Sequence, residues 1–196
     1  MILTWSFTMS DGPHRSLPMR RHWRDVAERA DKAAFSPAQV SESLPHALKR
    51  DLSEAPLEAV RDMLGGGLQS SLFAEQRVEH LEAARGVCRG SAAGNALIDC
   101  AIEAVNDGLV GDAAYHSALR NMLEDTARSA LRGIEEHYQR ETASDRRTYH
   151  IRGRLDAARR QCDFGGLAAE LMSGGNPGRE AARLPRQTGL DEGPRL

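Results

Sequence analysis

Apolar residues recur at helical spacing along most of the chain, and about seven helices follow from the pattern. The first covers about 19–35, with Trp23, Val26, Ala27, Ala30 and Ala34 on one face. Ser36-Pro37-Ala38-Gln39 then supplies an N-cap, a proline at the first helical position and a capping-box glutamine. That second helix is expected to be interrupted near Pro45. A short helix over 56–64 ends in Gly65-Gly66-Gly67. The next, over 69–85, carries Ala74, Val78, Leu81 and Ala84 at helical intervals.

Residues 91–106 place Ala93, Ala96, Leu97, Cys100, Ala101, Ala104 and Val105 on one stripe. Its small side chains would let a neighbouring helix approach closely, so this helix is expected to be the most deeply buried. After a turn over 108–111, Asp112 caps the longest helix, 112–142. Its inner stripe is Tyr115, Leu119, Met122, Leu123, Ala127, Ala130, Ile134 and Tyr138, while Glu124, Arg128, Arg132, Glu136 and Arg140 form an outer ladder at four-residue steps. A helix of this length spans about 45 Å and suits either the brace of a bundle or a dimer seam. Ser144 or Asp145 caps a further helix to residue 162 with a narrow stripe of Ile151, Leu155, Ala158 and Cys162. A last short helix, 167–172, follows Gly165-Gly166.

Proline spacing supports this reading, since none occurs between Pro56 and Pro177. The fold class is therefore all-α: a single bundle of about six to seven helices over 15–172, with a disordered tail over 173–196. Residues 1–14 are expected to be a flexible or mis-started segment. Residues 1–8 are apolar but lack the basic stretch and the length of a signal peptide; they either pack onto the body as a short edge segment or precede a start at Met9, which is preferred. No run of apolar residues is long enough to span a membrane.

Composition agrees with helix. The 196 residues include 28 alanines and 24 arginines, but only two lysines, Lys32 and Lys49, and aromatics make up 5%. Net charge is -2, which excludes a generic polyanion binder. Charge is uneven, however: residues 54–136 carry 14 acids against 7 arginines, and residues 140–186 carry 10 arginines against 6 acids. Three cysteines, Cys88, Cys100 and Cys162, without a C-x-x-C pair fit reduced, buried thiols in a cytosolic protein.

The arginine surplus gathers on the 144–162 helix. Arg146, Arg147, Arg152, Arg154, Arg159 and Arg160, with Tyr149 and His150 among them, form the candidate partner-binding face. The alternative is that these arginines pair with the acidic middle of the same chain or of a second copy. Other chemistry has little support. Seven histidines include no Glu-x-x-His, so no metal site is assigned. Cys88 with His80 and Cys162 with His150 lack the local geometry of a catalytic pair. The glycine runs lack the Lys-Ser/Thr of a phosphate loop. The 69–85 and 91–106 helices have the layout of a helix-turn-helix, but the second lacks a polar reading face.

The functional expectation is a non-catalytic, cytoplasmic interaction or regulatory protein without cofactor or metal. It would act through a protein partner or by homo-oligomerisation. The alternative is a nucleic-acid-associated protein using the same basic helix, and the third reading is a small α-helical enzyme.

Overall fold

The computed structural model describes residues 19–52, 73–86, 92–142 and 144–173. Among these residues all regular structure is helical: α1 (Arg21–Asp31), α2 (Pro37–Ser41), α3 (Ser43–Leu52), α4 (Ala74–Ala84), α5 (Ala92–Asn106), α6 (Gly111–Thr142), α7 (Asp145–Gln161) and α8 (Phe164–Met172). The 56–64 helix, Cys88, the 1–14 segment with Met9, and the tail from 174 lie outside the described residues.

The 32-residue α6 is the spine and touches α1, α3, α5, α7 and α8. Helix α5 leads into it through Asp107–Val110, and its end is closed by Gly108. At φ +84° that glycine occupies the left-handed region, which lets its N–H reach Val105 O at 3.0 Å and the Leu109 N–H reach Ala104 O at 3.0 Å. The core is one continuous cluster, with Val26, Val40, Leu44, Leu48, Leu81, Leu97, Ile98, Met122, Leu123 and Ala127 fully enclosed. Helix α5 buries more of its circumference than the expected stripe, adding Gly94 and Ile98, while Ala93 and Ala96 are only half-buried.

Several helix ends differ from expectation. Helix α1 stops at Asp31, not near residue 35, and Ala34 is exposed. The reason comes from 121 to 124 residues away, where Arg154 fastens onto the carbonyls of this turn. The capping box at Ser36 forms as expected, with Ser36 N–H donating to Gln39 Oε1 at 2.8 Å. The break that follows falls at Glu42, before Pro45. Pro45 then sits in the first turn of α3, where its missing N–H costs no helical bond.

Helix α8 begins at Phe164 because Asp163 caps it, accepting from Gly166 N–H at 2.9 Å. Gly165 and Gly166 therefore lie inside the helix and do not precede it. A Cβ on Gly166 would run into the Asp163 carboxylate, so the cap itself accounts for a glycine there. Ser144 stands at the N-cap of α7 but makes no side-chain cap bond. Its carbonyl instead accepts from Thr148 Oγ1 at 3.2 Å.

Candidate functional site

Helix α7 runs back along the second half of α6 and buries Thr148, Ile151, Leu155 and Ala158 against α6, α1 and α2. Four apolar or half-polar positions in 17 residues make a narrow seam, and the arginines widen it on both edges.

On the α1 edge, Arg147 and Arg154 stand seven residues apart and therefore on one side. Arg147 holds Asp31 with two bonds, Nε to Oδ1 at 2.8 Å and Nη2 to Oδ2 at 2.5 Å. The Arg147 guanidinium keeps the Asp31 carboxyl below its ordinary range, against the opposing effect of partial burial. Arg154 donates to Ala30 O at 3.0 Å, Lys32 O at 2.5 Å and Ala33 O at 3.2 Å. It thus closes the carbonyl end of α1 with a side chain from a distant helix.

On the α6 edge, Arg152 and Arg159 repeat the seven-residue spacing. Arg152 meets Glu135 at 3.4 Å, and Arg159 meets Glu124 at 3.0 Å. Arg128 of the α6 ladder shares Glu124 at 3.2 Å and adds Asp125 at 2.7 Å. The ladder is therefore not wholly self-paired, because its first acid also serves α7. Between the two helices lies an open cleft of about 160 Å³ floored by Leu131 and Leu155. It is lined by Arg128, Arg132, Arg152 and Arg159 with Glu135 and Asp156, and Arg128, Arg152 and Arg159 are held in ion pairs by Glu124, Asp125 and Glu135.

The remaining candidate residues point elsewhere. Arg146, Tyr149, His150 and Arg160 are all exposed, Tyr149 at 75%. Neither Arg146 nor Arg160 has an ion-pair partner among the described residues, and the Tyr149 and His150 rings meet edge to face with centroids 6.3 Å apart. With Gly153 and Ala157 they occupy one strip on the side of α7 away from the core. The two acids of α7 border this strip, Asp145 one turn before Tyr149 and Asp156 one turn before Arg160, without an ion pair among the described residues. The eight sequence-predicted residues thus divide into four bound within the chain and four presented outward.

The other candidates can be placed as well. Cys162 is half-buried at the end of α7, and burial, reinforced by Asp163, pushes its thiol up to about 11. Burial likewise pushes Cys100 up to about 11, helped by Asp125, Glu103 and Asp99. Both thiols stay protonated at neutral pH, the opposite of an activated nucleophile. His150 is twelve residues from Cys162, about 18 Å along the same helix. Among the described residues no three His, Cys, Asp or Glu side chains converge as metal ligands. No described helix is long and apolar enough to cross a membrane. The exposed positions of α5 include Asp99 and Glu103, which would repel a phosphate backbone.

Two polar features were not read from the sequence. Asp51 at the end of α3 accepts from Arg20 at 2.9 Å, His22 Nε2 at 2.8 Å and Trp23 Nε1 at 2.9 Å, tying α1 to α3. Arg77 on α4 is buried, and its Nε has no hydrogen-bond partner among the described residues. Neither has a local signature: the Asp51 partners lie 28 to 31 residues away. Comparison with protein-family models, characterised proteins and solved structures found no match for this chain.

Proposed function

We propose that the chain is a non-catalytic helical interaction protein, regulatory in role, whose contact face is the outer strip of α7. The observation that carries this reading is the division among the arginines. Arg147, Arg152, Arg154 and Arg159 are each engaged within the chain, whereas Arg146 and Arg160, on the same strip as a 75%-exposed Tyr149, have no ion-pair partner among the described residues. Tyrosine and arginine supply much of the binding energy of protein interfaces, because each combines apolar contact area with hydrogen-bond donors. Two arginines without ion-pair partners on the strip of an exposed tyrosine fit an acidic protein surface. Two free cysteines held as protonated thiols suit a reducing compartment such as the cytoplasm.

Phosphate contact by the same helix would have only two unengaged arginines to use. It would therefore show a shallow salt slope, about -2 on a log–log plot.

The test is site-specific photocrosslinking in the native cell. A photoreactive residue at Tyr149 should yield discrete protein adducts that disappear when Arg146 and Arg160 are both changed to Glu. The same probe at Ser129, an exposed position on α6, serves as control. Equal labelling at both positions, or none at Tyr149, would overturn the reading.

A further inference from the structure

The strip on α7 ends in a cation at each extremity. Arg146 and Arg160 are fourteen residues apart, about 21 Å along the axis, with Tyr149, His150, Gly153 and Ala157 between them. A Cβ on Gly153 would meet nothing within 4 Å, so no neighbour among the described residues accounts for the glycine. Two α7 strips from two copies, packed antiparallel about a two-fold axis, would set Arg146 against Arg160 at both ends. Like charges disfavour that arrangement. The strip therefore calls for a different, acidic surface.

This chain carries one. The described residues of α4 and α5, with their caps, hold Glu75, Glu79, Glu82, Asp99, Glu103 and Asp107 against Arg77 and Arg85. Arg77 is buried, and Arg85 is already shared between Glu82 and Asp99. Glu75, Glu79 and Glu103 are exposed and have no ion-pair partner among the described residues. Within one molecule α4 packs on α5, while α7 packs on α1, α2 and α6. The basic strip and the acidic face thus belong to different helix pairs.

We infer that the α7 strip docks on the α4–α5 acidic face of a second copy of this chain, in a head-to-tail contact. This rests on the reading of the α7 strip as the contact face and names its partner. Such a contact uses two different surfaces, so each copy keeps one of each unused and the assembly grows into a ring or an open chain.

The test is sedimentation equilibrium of the full chain at low and at high salt, with circular dichroism confirming unchanged helix content. At low salt the weight-average mass should rise with concentration above the 21.4 kDa of the monomer, and screening should return it to the monomer. The variants R146E/R160E and E79R/E103R should each associate at least about tenfold more weakly. An equimolar mixture of the two should recover association, because each reversed face then meets its reversed complement. A wild-type chain that stays monomeric at low salt overturns the inference. So does association that survives both variants, or a mixture that stays monomeric. If the wild type is monomeric while Tyr149 still crosslinks to another protein, this inference falls and the contact-face reading stands. If Tyr149 captures nothing, both fall.

Discussion

Helix α5 lays Leu97, Ile98, Ala101, Ala104 and Val105 in the core beside α6, all essentially free of solvent. Helix α7 flanks the same spine with Ile151, Leu155 and Ala158, and adds four arginines that reach Asp31, Glu135, Glu124 and the carbonyls that end α1. One helix is held by area removed from water, and the other adds directed charge at the edges of a narrower apolar seam. The comparison teaches that arginine content does not mark function by itself. In α7 four arginines attach the helix, and only those left over are available to anything outside.

The two modes of attachment should fail differently. Leu97→Ala opens a cavity under α5 and should cost about 2–5 kcal/mol, measured by urea unfolding. A loss below about 1 kcal/mol would mean that α5 is not the packed side of the comparison. Removing Arg154 takes donors from three carbonyls and should cost about 1–3 kcal/mol in the same measurement. Arg77 stands on the apolar side as a buried guanidinium with an unbonded Nε. Arg77→Met should leave stability unchanged or raise it by up to about 2 kcal/mol, and a clear loss would mean that this guanidinium is satisfied in solution.

Acid should reach the α7 side first. Arg147 lowers the Asp31 carboxyl below its ordinary 3.8. A depressed folded-state value gives stability that is fully present above 3.8 and lost as pH falls through the lower folded value. The stability gap between wild type and Arg147→Met should therefore be full at neutral pH and shrink below about pH 4. Unfolding curves across that range would show a gap independent of pH if the pair contributes nothing.

Much of the fold could be read from the sequence because helix periodicity and local caps are local signals. Ser36 with Gln39, and the stripe through Leu97 and Ala104, needed no information from elsewhere in the chain. The misplaced helix ends were those settled at long range or by a cap outweighing a glycine pair. Asp31 ends α1 because Arg154 arrives from α7, and Asp163 draws Gly165 and Gly166 into α8. At the candidate site the sequence singled out the right helix but could not divide its arginines. That division depends on which edges of α7 meet α1 and α6, and only packing decides this. The seven-residue spacings of Arg147 with Arg154 and Arg152 with Arg159 were the available clue, since each pair had to share a side.

The most direct test of that division compares two double variants by thermal unfolding at neutral pH and low salt. Arg147→Ala with Arg154→Ala should lower the midpoint by several degrees, at about 2–4 °C per kcal/mol for a chain of this size. Arg146→Ala with Arg160→Ala should leave it within about 1 °C, as for exposed residues without partners. Equal losses in the two variants, or a larger loss from the outer pair, would contradict the account.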